Sequence, residues 1–275
     1  MADNDWMRAA GPAREPVGLD TSVAHIARVQ DVWLGGKDNY TADRDAAEEG
    51  LAAFPGLVMS VRATRAFLAR TVRYLAAEAG IRQFLDVGTG LPSANNTHEV
   101  AQHEAPESRV VYVDNDPIVL THARALLTSG PQGKTAYIDA DARDTGTILD
   151  QAAETLDFGK PVGVVLMAVL QFIPDEDNPG GIVDRLMAAV PSGSYLVISH
   201  PANDIEPEKM ANMAQRLNQL MAQKVALRSR AEISRYFDGL ELVDPGVVRA
   251  PEWRPISPAE AASPSTMWGG VARKP

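Results

Sequence analysis

The residues best equipped for chemistry lie between Gln83 and Asp116. An apolar run of Phe84, Leu85 and Val87 encloses Asp86 and stops at Gly88-Thr89-Gly90, and a second run, Val110 to Val113, ends in Asp114-Asn115-Asp116. This pattern predicts a strand, a tight glycine turn, a helix and a second parallel strand. Ligands of open α/β sheets sit at the carboxyl ends of such strands, where glycines let the backbone come close. A glycine pair alone also serves as an unliganded turn. Asp114, however, stands 24 residues after Gly90, and a carboxylate there can accept both ribose hydroxyl protons of an adenosine ligand.

The sign of the charge narrows the ligand. A pyrophosphate-binding turn calls for G-x-G-x-x-G, whereas here the sixth position is Ser93, preceded by Pro92. Asp86, just before the glycines, opposes a pyrophosphate and favours a cation. S-adenosylmethionine carries a sulfonium and an ammonium, so it fits this sign better than NAD does. Asp141, after the third apolar run, reads by itself as a helix cap, and Asn115 and Asp116 suit helix capping too.

Outside that stretch the candidates are fewer. Gly35-Gly36-Lys37-Asp38-Asn39-Tyr40 reads either as a turn between helices or as a lid that closes over a cofactor, with Tyr40 or Trp33 against a sulfonium. His200, at the end of the fifth predicted strand, is a candidate general base. His200 and Tyr40 are the candidates for catalysis. His98, His103 and His122 read as packing or surface residues. No H-x-H, H-E-x-x-H or acidic cluster has metal-ligand spacing, so no metal is expected. After the fourth strand, Gln171 and Phe172 are placed to line a small-molecule pocket.

The elements that must position these groups follow from periodicity. Strands are predicted at 83–87, 109–113, 135–139, 161–170 and 193–199, with helices near 93–104, 117–128, 145–155 and 179–190. Apolar runs such as Val162–Val169 suit a parallel sheet covered on both faces. Residues 1–19 read as a mobile tail. Residues 20–80 form an N-terminal helical cap, in which Arg62, Arg65, Arg70 and Arg73 read as a solvated helix face. Residues 81–275 form the sheet domain, with a helical insertion at 203–235. Within the insertion a Met-rich helix is predicted over Ile205–Arg228, as core, as substrate lid or as a contact in a homo-oligomer. Late strands at Leu240–Val243 and Val247–Val248, a Pro-rich loop and a final run around Met267–Val271 would close the sheet as a hairpin.

Bulk properties bound the rest. The chain has 275 residues and no cysteine, which excludes disulfides and thiolate chemistry and agrees with a cytoplasmic location. A net charge of −10 argues against nucleic acid as partner. The first residues, MADNDWMR, do not fit a secretory signal, and the run from Val162 to Ile173 falls short of the roughly 20 residues that span a bilayer. No membrane association is expected.

As a set, Asp86-x-Gly88-x-Gly90, Val113-Asp114 and Ala140-Asp141-Ala142 resemble the first three motifs of the class I S-adenosylmethionine-dependent methyltransferases. More closely, Gly35-Gly36-Lys37-Asp38-Asn39-Tyr40, Asp86-Val-Gly-Thr-Gly-Leu-Pro92, Asn96-Thr-His98-Glu99, Tyr112-Val-Asp-Asn-Asp-Pro117 and Ser199-His200 resemble a bacterial family of predicted S-adenosyl methyltransferases whose substrates are unassigned. The resemblance spans roughly residues 20 to 273. It implies an α/β, doubly wound, mostly parallel seven-stranded Rossmann-like sheet with an antiparallel last strand. Asp86, Gly88, Thr89, Gly90, Asp114, Asn115, Asp141, Ala142 and Tyr40 would hold S-adenosylmethionine, for transfer to a small-molecule acceptor. Pro92 replaces the usual third glycine, which implies a different grip on the methionine end. Three other readings share some of these residues: a non-enzymatic binder of S-adenosylmethionine or its demethylated product, an NAD-dependent oxidoreductase, and an interaction scaffold built on the Met-rich helix.

Overall fold

Alternate residues of each central strand pack against opposite layers, and the computed structural model shows a sheet buried on both sides. It describes residues 20–126 and 129–275, without the side chains of 122–126; the predicted tail, 1–19, lies outside the described residues. Three helices come first: α1 (Ile26–Leu34), α2 (Thr41–Ala53) and α3 (Leu57–Ala77). The alternation follows as β1 (Gln83–Val87), α4 (Thr97–Glu104), β2 (Arg109–Asp114), α5 (Pro117–Leu126), β3 (Lys134–Asp139), α6 (Thr145–Ala152), β4 (Gly163–Met167), α7 (Pro179–Ala188) and β5 (Tyr195–Pro201). Then come α8 (Pro207–Leu220), α9 (Arg230–Ser234), β6 (Glu241–Leu242), β7 (Val248–Arg249) and β8 (Met267–Arg273).

The strand order is β3-β2-β1-β4-β5-β8-β6, with β7 also paired to β8. β1 to β5 are mutually parallel and β8 is antiparallel to β5. The sheet thus has seven positions and eight strands, because β6 and β7 share one edge of β8 on either side of the Asp244-Pro245 turn. The predicted hairpin is β7 with β8.

On one face, Leu85, Val111, Leu166 and Ile198 pack against Ile148 of α6 and Ile182 and Leu186 of α7. On the other, Phe84, Val110, Val165 and Val197 meet Phe67, Val72 and Leu75 of α3 and Val100 of α4. The predicted cap therefore divides. α3 covers the sheet, whereas α1 and α2 pack with α8 around Trp33, Leu57, Met210, Met213 and Leu217. Among the described residues, no single helix is long and apolar enough to cross a membrane.

Two predicted elements are shorter than their apolar runs. β4 ends at Met167 because Ala168 takes a left-handed φ of 52°, although its N–H still donates to the carbonyl of Ser199 on β5. α8 ends at Leu220 rather than near Arg228. The side chain of Asn218 captures the backbone of the following segment, accepting from the Val225 N–H at 2.6 Å and donating to the Val225 carbonyl at 3.2 Å. Such side-chain bonds offer the backbone an alternative to helix.

Candidate active site

The carboxyl ends of β1, β2 and β3 and the helices α1, α3 and α8 enclose one cavity, with about 180 Å³ open to the centres of water molecules. One water needs about 10–15 Å³ on that measure, so the space suits a ligand of many atoms.

The turn after β1 is built from both its glycines. Gly88 has φ 76° and Gly90 φ 68°, a region that favours glycine. At Gly88 a Cβ would also lie 2.4 Å from Cγ2 of Val169, whereas at Gly90 it would meet nothing within 4 Å. The first glycine thus allows close packing of the turn after β4, and the second leaves open space above the strand end. The N–H groups of Gly88 and Thr89 donate to the carbonyl of Val113 at 2.8 and 3.2 Å, and that of Gly90 donates to Asp114 Oδ2 at 2.8 Å.

Asp114 is buried, and its Oδ1 accepts the N–H of Asp116 at 3.0 Å. Each oxygen keeps a second lone pair for a ligand. Burial pushes this carboxyl above the usual range. Asp116 accepts the N–H of Ile118 at 2.7 Å and caps α5, as its type suggests. Burial pushes Asp116 up as well, but His25 Nδ1, 2.8 Å from Asp116 Oδ2, outweighs this and holds it below the usual range. The contact, with Arg28 Nε at 3.6 Å from the same oxygen, fastens α1 to the end of β2.

Asp86 points to the α4 side, where it accepts from the Thr97 hydroxyl at 2.6 Å. Burial raises its pKa to about 6, against the pull of that hydrogen bond and of Arg65. Arg65 was expected on a solvated face, but it lines the cavity. Its Nη2 donates to the carbonyls of Ala94 and Asn95 at 3.2 and 3.4 Å, and its Nε is buried with no partner among the described residues. Arg70 is buried too, donating to the carbonyls of Trp253 and Ala250; Arg62 is exposed and Arg73 is half exposed. The spacing of Arg65 from Val61, Leu68 and Val72 placed it on the buried stripe of α3.

Asp141 lies at the cavity edge with Asn115 and Ala142. Hydrogen bonds from Arg143 hold its carboxyl below the usual range, and Asn115 Nδ2 reaches it at 3.4 Å.

Two expectations are corrected. His200 is fully buried in β5 and does not line the cavity. Its Nδ1 lies 2.9 Å from the carbonyl of Pro201, which fixes that nitrogen as the donor and leaves Nε2 to accept from Arg228 Nη1 at 2.8 Å. Burial, with Arg228 alongside, pushes its pKa down to about 3. It is a neutral strut, not a base at the site.

Tyr40 does not line the cavity either; its ring lies 5.7 Å from the Arg28 guanidinium carbon. The Gly35–Tyr40 loop is tied down by Asp31, whose Oδ2 accepts from the Asp38 N–H at 2.8 Å and from Asn39 Nδ2 at 2.9 Å. Gly36 is required there, since a Cβ would fall 1.8 Å from Asp31 Oδ1. Trp33 does line the cavity and donates to the Ala47 carbonyl at 3.1 Å.

The site thus combines a buried acid at each of two adjacent strand ends, an open glycine turn and a cation with a free donor. A sequence comparison decides which family uses it: residues 12–275 match the family described as S-adenosyl methyltransferase. The chain belongs to that family. Its cofactor is S-adenosylmethionine, and the oxidoreductase reading falls away.

Solved structures agree. A DUF574-family protein of Streptomyces avermitilis MA-4680 is 46% identical, with a TM-score of 0.90 over 93% of this chain and 99% of that one. A candidate methyltransferase of Thermobifida fusca YX is 40% identical, with a TM-score of 0.87 over 96% and 99% of the two chains. The plantazolicin methyltransferase BpumL, at 12% identity and a TM-score of 0.50 over 90% and 94%, shares the fold alone. A search of curated proteins finds no match. The S-adenosyl methyltransferase sheet is accordingly the Rossmann-like one that the sequence motifs imply.

Proposed function

We propose that this S-adenosyl methyltransferase methylates a small molecule held between its sheet and α8. The carrying observation is that the strand-end acids Asp86 and Asp114 and the helix residues Met210 and Met213 line the same cavity. When bound, S-adenosylmethionine supplies a methyl carbon on a cationic sulfur, and an acceptor lone pair displaces it with the electron pair leaving on sulfur.

The residues fit that ligand. Asp114, with a free lone pair on each oxygen, accepts the ribose hydroxyls. Gly88, Thr89 and Gly90 give the backbone close approach, and Asn115, Asp141 and Ala142 border the adenine. Asp86 and Arg65 together match an amino acid's ammonium and carboxylate, which answers the loss of the third glycine to Pro92. Helices α1, α2 and α8 act as one cap that excludes water and orients the acceptor. Positioning then supplies the acceleration, and a general base is needed only where the acceptor atom must lose a proton.

Calorimetric titration of the full chain with S-adenosylmethionine, its demethylated product S-adenosylhomocysteine and NAD tests this. Binding of the first two without the third is expected; an absence of binding by both adenosyl ligands would overturn the assignment.

A further inference from the structure

Asp141, at the cavity edge, has its acceptor positions filled from within the protein. Its Oδ1 accepts the backbone N–H and the Nε–H of Arg143, both at 2.8 Å. Its Oδ2 accepts Nη2 of Arg143 at 2.8 Å and Nδ2 of Asn115 at 3.4 Å. An ionised carboxyl offers about four lone-pair sites, and these donors take all of them. Asp114 differs in this respect, since each of its oxygens accepts a single backbone N–H among the described residues.

Arg143, which also lines the cavity, is held from its other side as well. Its Nη1 donates to Asp177 Oδ2 at 2.8 Å, and Asp177 stands just ahead of α7. The turn between β3 and α6 is closed by the Asp144 N–H, which donates to the Asp141 carbonyl at 2.9 Å. Arg185 of α7 donates from Nε to Thr145 Oγ1 of α6 at 3.0 Å. The two acids that flank the guanidinium thus stand on elements already fastened to each other. Arg143 leaves Asp141 only by breaking bonds to both acids.

The ligand group that would bond a free carboxyl at this edge is the 6-amino group of the purine, a neutral donor. Charge-assisted hydrogen bonds are roughly twice as strong as neutral ones, so the amino group does not displace the guanidinium. It can replace only the Asn115 amide, which exchanges one neutral donor for another without net gain. Asn115 and Arg143 are exposed, so the amino group keeps its water beside them.

We infer that Arg143 sets the base specificity of the cofactor site: by occupying Asp141 it leaves the purine's 6-amino group unread, and the site takes S-nucleosyl ligands with or without that group. The inference rests on the methyltransferase reading above and deepens it. Selection of the cofactor then falls on the ribose, at Asp114, and on the amino-acid end, at Asp86 and Arg65.

Calorimetric titration of the full chain with S-adenosylhomocysteine and with its 6-deamino analogue, which carries hydrogen in place of the amino group, tests this. The two should bind the unaltered chain within threefold of each other. Arg143→Leu opens two acceptor positions on Asp141, and S-adenosylhomocysteine should then bind at least tenfold more tightly than the analogue. Adding Asp141→Ala to that variant should bring the pair back within threefold. If Arg143→Leu fails to fold, Arg143→Lys gives the reading with a smaller preference, since an ammonium is a point charge without the bidentate fork. A preference above threefold in the unaltered chain, or a ratio that widens in neither Arg143 variant, would overturn the inference alone. Failure of S-adenosylhomocysteine to bind the unaltered chain would overturn the cofactor reading and this inference with it.

Discussion

Asp114 Oδ2 accepts the N–H of Gly90 at 2.8 Å, so the acid that ends β2 and the glycine turn that ends β1 form one unit. Asp114→Asn keeps the shape but removes the charge that strengthens hydrogen bonds to a ribose. Hydrogen bonds to charged groups contribute about 1.5–3 kcal/mol, so S-adenosylhomocysteine affinity should fall roughly tenfold to a hundredfold. Calorimetry measures it, and a loss below threefold would remove Asp114 from the ribose site.

Asp86 trades stability for binding. Its folded pKa of about 6 lies above the ordinary value of 3.8. The folded state therefore holds the proton more tightly, and this group's contribution to stability falls as pH rises from 3.8 to 6. The shift corresponds to at most about 3 kcal/mol. Asp86→Asn should raise the melting temperature of the ligand-free protein at pH 7.5 and weaken S-adenosylhomocysteine at least tenfold. In the unaltered protein, affinity should climb between pH 5 and 7 as the carboxylate ionises. An unchanged melting temperature together with unchanged affinity would contradict both roles.

His200 is predicted to matter for folding rather than for binding. Its pKa is depressed to about 3 from 6.5. The unfolded state binds more protons in that window, so stability is lost as pH falls from 6.5 towards 3. His200→Phe leaves the Arg228 Nη1 donor short of one partner, a loss of about 2 kcal/mol, or roughly 4–8 °C in a chain of this size. Differential scanning calorimetry measures the fall. S-adenosylhomocysteine affinity should stay within threefold.

The Gly35–Tyr40 loop separates packing from ligand binding. Gly36→Ala forces the Asp31 carboxylate away from Asp38 and Asn39 and should cost about 1–3 kcal/mol. At Gly35 there is room for a Cβ, and only the left-handed φ of 83° opposes it, so Gly35→Ala should cost about 1 kcal/mol. Denaturant titration ranks the two. Tyr40→Phe, which keeps the ring over Arg28, should leave cofactor affinity unchanged; a tenfold loss would restore the lid.

The sequence by itself determined the sheet and its ligand edge. Strand runs, the Gly88 and Gly90 punctuation and the acids Asp86 and Asp114 are local patterns, because side-chain period and backbone conformation are set within a few residues. The Gly35–Tyr40 motif was legible as a motif, but its reason was not, since Asp31 meets it only after α1 ends. The tertiary structure alone decided which side chains face the cavity. Arg65 looked like one of four arginines on a wet helix, and burial against the turn at Ala94 and Asn95 set it apart. His200 sat at the correct strand end for a base, yet Arg228, 28 residues away, takes its Nε2. Met210 and Met213 joined α1 and α2 because apolar surface is buried wherever complementary surface is within reach, and that pairing spans more of the chain than any sequence period records.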